Sequence, residues 1–237
     1  MAQHPNPYQR AFADRPVADV ADNRREKFIV RTYNHLFGAI LLFAAIEAVL
    51  FTTGIADVMA QAMLGTSWLV VLGGFMVVSW LASHVAMRSD SLAKQYAALV
   101  GFVAAEAIIF VPLLWIANAY APGAIQSAGL VTIAGFAGLT GIAFVTKKDF
   151  SFLGGFLRWA FIVALVGIVA AVIFGFELGV LFSVAMVGLA GAAILYDTSN
   201  VMRHYPESRY VGAALALFSS VALMFWYVLR IFIAARD

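Results

Sequence analysis

The sequence of 237 residues is 63% hydrophobic and 12% charged, with a formal net charge of +2. Soluble domains average about 45–50% apolar and about 25% charged residues, so this composition excludes a soluble globular protein. The chain has no cysteine, which excludes disulfide bonds, thiol catalysis and cysteine-ligated metals.

Seven apolar stretches follow one another along the chain, and each is long enough to cross a bilayer as a helix. They cover residues 33–54, 66–87, 95–117, 125–146, 154–175, 178–200 and 211–234. Because backbone N–H and C=O groups must be satisfied inside lipid, uncharged runs of this length predict helices. We therefore expect an all-α membrane protein, with a mobile cytosolic tail over residues 1–30 and a seven-helix membrane domain over residues 31–236.

Basic residues alternate between the two sides of these predicted spans. The N-terminal region, the links after the second, fourth and sixth spans, and the start of the fifth span hold 13 of the 15 Lys and Arg residues, and the other three links hold none. This distribution predicts a cytosolic N-terminus. Arg230 and Arg236 lie at the C-terminal end of the last span, so seven crossings leave them outside, whereas a re-entrant last span returns them to the cytosol. The pattern favours seven crossings and leaves the alternative open.

Three carboxylates fall inside predicted spans, where a charge costs about 2.5–3.5 kcal/mol. Glu47 and Glu106 lie near the middle of the first and third spans. Each either holds the bundle in register as a hydrogen-bonded acid, or lines a hydrophilic path with the other. Asp197 lies towards the cytosolic end of the sixth span, on the same side as Arg88, so an Arg88–Asp197 ion pair is expected. The alternatives are that Asp197 caps its helix or pairs with Arg203.

Signatures of an enzyme or of a resident cofactor are missing from the sequence. The last lysine is Lys148, so the final span has no lysine for a retinal Schiff base. The serines lack a G-x-S-x-G setting, and the chain has no phosphate-binding G-x-x-x-x-G-K-[ST] loop. His35, His84 and His204 are scattered and do not have the spacing of metal ligands. We expect no enzymatic activity, no cofactor and no nucleic-acid partner.

Three motifs in order carry a resemblance to a known family. They are "TKKDFSFLGGFL" at the start of the fifth span, "ILYDTSN" at the end of the sixth and "LRIF" at the end of the seventh. Together with the seven spans they resemble the Bax inhibitor-1 family of membrane proteins. The resemblance covers roughly residues 30–235 and is strongest from Thr146 to Asn200.

The resemblance implies a bundle whose last span lies at the centre. Several bacterial members are described as pH-sensitive calcium leaks, in which aspartates of the sixth and seventh spans share a proton and an arginine of the second span pairs with them. Asp197 and Arg88 match two of these residues, and Ser220 stands where the second aspartate is expected. Since serine cannot titrate with Asp197 as a pair, the resemblance implies weaker modulation by pH and weaker calcium coordination.

Two functions follow as expectations. The first is a calcium or other cation leak through the bilayer, with Asp197, Arg88, Ser220, Glu106 and Glu47 along the path and Asp197 as a calcium ligand. The second is a non-conducting regulator that binds another membrane protein, such as a membrane-anchored protease. A proton-coupled small-molecule transporter is a third and weaker option. The charge pattern fits the inner membrane of a bacterium.

Overall fold

The computed structural model describes residues 15–236, and these residues form a bundle of α-helices. The helices are α1 Asp22–Thr52, α2 Ile55–Leu64, α3 Trp68–Arg88, α4 Leu92–Tyr120, α5 Ala124–Thr146, α6 Leu153–Phe174, α7 Val180–Arg203 and α8 Tyr210–Ala234. Short 3-10 turns, Val17–Asp19 and Glu207–Arg209, precede α1 and α8. All but α2 are long and apolar enough to cross a membrane. The predicted all-α class and seven spans are confirmed.

Helix α2 was not predicted, because its ten residues fall in the link between two spans. Gly54 separates it from α1 with a backbone φ of 75°, a left-handed conformation that favours glycine. Ala56 and Ala60 are buried against Val111 of α4. The indole Nε1 of Trp115 also donates to Asp57 Oδ1 at 2.8 Å. This helix therefore packs against α4 without crossing the bundle.

Helix α1 begins earlier than predicted, at Asp22. Residues 22–30, expected in the tail, form its first turns, and Phe28 is buried in the core. Residues 1–14 of the predicted tail lie outside the described residues, so its mobility there stays a prediction.

Helix α8 lies at the centre of the bundle, as the resemblance implied. It packs against α1, α3, α4, α5 and α7. Its inner faces bury Leu217, Phe218 and Leu229, whereas α3 and α6 have few buried residues. The central position places side chains of α8 next to those of every neighbour that lines the site described below.

The two ends of the bundle differ in charge. We call the end that carries the links α3–α4, α5–α6 and α7–α8 the basic end, and the opposite end the far end. Val17 at the basic end donates its N–H to the carbonyl of Tyr205 at 3.0 Å. Arg236 donates to the carbonyl of Pro122, in a link at the far end. Helix α8 therefore runs the full length of the bundle, which favours seven crossings over a re-entrant last span.

Candidate functional site

Asp197 of α7 meets Ser220 of α8 inside the bundle. The Oγ of Ser220 donates to Oδ2 of Asp197 at 2.5 Å, a distance typical of a hydroxyl bound to a carboxylate. The two residues are only 8% and 7% exposed. The position where the resemblance implied a second aspartate therefore holds the hydrogen-bond partner of Asp197.

The predicted Arg88–Asp197 ion pair is wrong for this structure. Arg88 is the last residue of α3 and is exposed, and none of the ion pairs among residues 15–236 includes it. There its charge stays hydrated and lies favourably at the C-terminus of the helix. Ser220 supplies a hydrogen bond to the buried carboxylate of Asp197 without bringing a second charge into the bundle. The alternative pair with Arg203 is also absent, because Arg203 donates to the carbonyl of Lys147.

Arg209, which the sequence analysis did not single out, is a buried cation at the basic end, and it pairs with Asp90 rather than with Asp197. Its guanidinium donates to Asp90 Oδ1 at 2.8 Å and to the carbonyl of Ser89. The α3–α4 link is thereby fixed to the start of α8. No local signal distinguishes Arg209 from the other basic residues of the links.

A cavity of about 860 Å³ extends along the bundle between α3, α4, α6, α7 and α8. Its walls are mostly apolar, with Asp197, Ser219, Ser220 and Glu106 as polar groups along its length. Tyr205 lines it at the basic end and Arg230 at the far end. Glu106 stands at the midpoint of α4, and Asp197 lies in the last two turns of α7. The structure therefore brings Asp197, Ser220 and Glu106 to one cavity.

Glu47 is not among the residues that line this cavity. It lies in the last two turns of α1, closer to the far end than the predicted mid-span position. It is 7% exposed, and neither carboxyl oxygen hydrogen-bonds to any described residue. Glu47 therefore neither shares a path with Glu106 nor fixes the register of two helices through a hydrogen bond.

We expect Glu47→Leu to stabilise the protein. An unsatisfied buried polar group costs about 1–3 kcal/mol, and leucine removes that cost at similar size. The thermal unfolding midpoint in detergent should rise. Glu177→Leu, at an exposed acid near the far end, is the control and should leave the midpoint unchanged. A fall for Glu47→Leu would contradict this and indicate an unrecognised partner.

The N-terminal segment covers the basic end next to Tyr205. Residues Pro16 and Pro206 form an antiparallel bridge, and Arg24 pairs with Glu207. Val17 is fully buried. We call residues 16–24 the strap. Burial, and then the negative charge of Asp197, raise the pKa of the Tyr205 phenol, so that it stays neutral beneath the strap.

The α5–α6 link is fixed to the end of α7 through Asp149. Ser199 Oγ donates to Asp149 Oδ1 at 3.3 Å, and it accepts the N–H of Phe150 at 2.9 Å. The N–H of Ser151 is the main cause of the lowered pKa of Asp149, and His204, whose Nε2 lies 3.6 Å from Asp149 Oδ2, adds to it. Because this pKa is lowered, the contribution of Asp149 to stability is present at neutral pH and is lost as pH falls through the lowered value.

These contacts join two of the three motifs that carried the resemblance, since Asp149 belongs to the first and Ser199 to the second. The family described as "Inhibitor of apoptosis-promoting Bax1" matches residues 25–237. The chain belongs to the Bax inhibitor-1 family. It is a multi-pass membrane protein of that family, as the motifs implied.

Relatives span several kingdoms. Uncharacterized protein Cj0236c of Campylobacter jejuni is 32% identical over 216 residues, which cover 86% of this chain and 87% of the relative. Bax inhibitor 1 of Schizosaccharomyces pombe is 25% identical over 91% of this chain and 79% of the relative. The Modulator of FtsH protease YccA of Escherichia coli is 36% identical over 94 residues, 39% of this chain and 42% of YccA. The matched stretch also spans only about half of an uncharacterized Pseudomonas aeruginosa relative.

Proposed function

We propose that this protein is a calcium leak of the Bax inhibitor-1 family, in which ions pass along the cavity lined by Asp197, Ser220 and Glu106. The observation that carries the proposal is that two buried carboxylates from different helices line one cavity between the basic end and the far end. Buried carboxylates in membrane helices are costly, and they commonly mark ion pathways.

Calcium takes six to eight oxygen ligands, carboxylates and water among them. Asp197 and Ser220 supply oxygens from the protein, and water completes the shell. Within residues 15–236, no group of three or more His, Asp or Glu side chains gathers as metal ligands. In this proposal calcium is a transported ion that passes Asp197. The proposal includes no enzymatic step and no cofactor.

In this proposal, Tyr205 and the strap close the basic end. Conduction requires their displacement, since Tyr205 lines the cavity beside Asp197 and the strap is hydrogen-bonded to Tyr205. We place the basic end in the cytosol on the basis of its charge. The inner membrane of a bacterium is the proposed location, and a relative in Escherichia coli carries the name "Inner membrane protein YccA".

Glu106 and Glu47 offer a matched pair for a test, because both are buried membrane glutamates and only Glu106 lines the cavity. In proteoliposomes, Glu106→Gln should slow calcium entry about tenfold, the effect of losing ~1.4 kcal/mol of ion stabilisation. Glu47→Gln should leave entry unchanged. Equal effects of the two substitutions would contradict an ion path through this cavity.

A non-conducting regulator is the second candidate. It is supported by YccA, named as a modulator of the FtsH protease and 36% identical over the stretch it shares. The partner would be a membrane-anchored protease that binds the N-terminal tail, residues 1–27, of which residues 1–14 can be deleted without removing the strap. Deleting them should abolish co-purification with the protease and leave calcium entry unchanged. Unchanged co-purification would count against this candidate.

A further inference from the structure

The cavity is open on the side between α3 and α6. These two helices share few contacts, and α6 lies at the edge of the bundle against α7. Phe161 and Val172 of α6 line the cavity and are 38% and 40% exposed. The apolar wall of the cavity is therefore continuous with the surface that α6 presents to lipid.

Arg230 stands at the far end of this cavity. It is half-buried, its Nη2 donates to the carbonyl of Leu178 at 3.3 Å, and its guanidinium carbon lies 6.0 Å from the centre of the Tyr227 ring. Among residues 15–236 it forms no ion pair with a carboxylate, Glu177 beside Leu178 included. A guanidinium has five N–H donors, so Arg230 retains donors for an anion.

From this combination we propose that the cavity binds one phospholipid from the leaflet at the far end. Arg230 binds the phosphodiester, and an acyl chain enters between α3 and α6 past Val172. Guanidinium groups bind phosphate oxygens in bidentate fashion, and the apolar part of the wall around Phe161 and Val172 suits an acyl chain. The volume lies within the range of about 300–1,000 Å³ that is typical of ligand sites. The positive charge of Arg230 is complementary to the phosphate, and the gap between α3 and α6 gives the acyl chain a way in from the bilayer.

The other cation on the cavity wall, Arg158, is a weaker candidate for the head group. It lies at the basic end and is exposed, and its Nε donates to the carbonyl of Gly154 at 3.1 Å. Lys147 and Lys148 lie at the same end, so attraction of anionic lipid there is shared by several charges. At the far end, by contrast, Arg230 is the basic residue that lines the cavity.

This inference does not rest on the leak, because it concerns binding alone. If the protein both conducts calcium and binds the lipid, the acyl chain supplies the wall that the protein lacks between α3 and α6. The chain then separates ions in the cavity from the surrounding bilayer. A protein that binds the lipid and conducts no calcium would refute the proposed leak and leave this inference intact.

The test uses delipidated full-length protein in detergent, phosphatidylglycerol as the probe and native mass spectrometry as the readout. We expect one bound lipid per chain and a loss of about tenfold in affinity for Arg230→Gln, the scale of one charge-assisted contact. Arg236→Gln is the matched control, because this arginine lies at the same end and outside the cavity lining. It should bind lipid as the native protein does.

A second pair of variants tests the acyl chain with Arg230 intact. Val172→Trp obstructs the gap and should lower lipid binding, whereas Val163→Trp, also exposed on α6 but outside the cavity lining, should not. Inorganic phosphate at millimolar concentration should not displace the lipid. The inference would be overturned if Arg230→Gln bound lipid as tightly as the native protein, or if Arg230→Gln and Arg236→Gln lost the same affinity. It would also be overturned if Val172→Trp and Val163→Trp changed lipid binding equally, or if inorganic phosphate displaced the lipid.

Discussion

Replacing Ser220 by Asp is expected to make calcium entry strongly dependent on pH. The Ser220 Oγ lies 2.5 Å from the Asp197 carboxylate, so the substitution places two carboxyl groups within hydrogen-bond distance. Such a pair shares one proton and titrates as a unit. When the shared proton leaves at higher pH, both carboxyl groups are charged. Their repulsion then pushes α7 and α8 apart. We expect entry into proteoliposomes to be about tenfold faster at pH 8 than at pH 6, the effect of ~1.4 kcal/mol of repulsion.

Ser220→Asn is the control for this experiment. Asparagine has the shape of aspartate and carries no charge, so its profile between pH 6 and pH 8 should match that of the native protein. If Ser220→Asp and Ser220→Asn gave the same profile, the hydrogen bond between α7 and α8 would not control the leak.

Releasing the strap is expected to raise calcium entry. Val17 is fully buried beside Tyr205, and Val17→Asp would place a carboxylate there. An unpaired charge in such a site costs several kcal/mol, so the strap should undock and uncover the basic end of the cavity. Calcium entry at neutral pH should increase about tenfold or more, because ~1.4 kcal/mol already corresponds to a tenfold change in population.

Ala18→Asp provides the matched control, since Ala18 is the next residue and is exposed. It adds the same charge to the strap without burying it, so entry should stay at the native rate. Faster entry in both variants would show that charge at this end, rather than undocking, changes the rate. Native rates in both would show that the strap does not close the path.

The sequence predicted the spans well because lipid imposes one strong requirement on them. Long uncharged runs must satisfy their own backbone groups, and this alone specifies seven helices. The same requirement says nothing about α2, whose ten residues pack along α4 after the turn at Gly54. Its contacts with Val111 and Trp115 depend on how α4 is placed, which the local pattern does not contain.

The site was predictable only in part. Glu47 and Glu106 lie in similar apolar contexts, "AAIEAVLF" and "AAEAIIF", yet only Glu106 lines the cavity. Which face of a helix points to a cavity depends on the rotation of that helix about its axis. Similarly, Arg88 and Arg209 lie at the same end, and tertiary packing decides which one is buried.

The docking of the strap could not be predicted either, because it depends on residues that are distant along the chain. The composition of residues 16–24 is that of a polar tail, and the partners that order it are Tyr205, Pro206 and Glu207. Those partners lie almost two hundred residues away along the chain. Within the strap, Val17 and Val20 pack against the core, but nothing in the local sequence specifies which residues of the α7–α8 link they meet.

The most direct test of the proposed leak is calcium entry into proteoliposomes at pH 7 by the native protein and by Asp197→Asn, with Glu47→Gln as the control. If ions pass Asp197, the native protein and Glu47→Gln admit calcium at equal rates, and Asp197→Asn is slower by about tenfold or more, the effect of ~1.4 kcal/mol. If none of the three admits calcium, or if Asp197→Asn matches the native rate, Asp197 is not part of a calcium path. The regulator that binds a membrane protease would then be the better account of this protein.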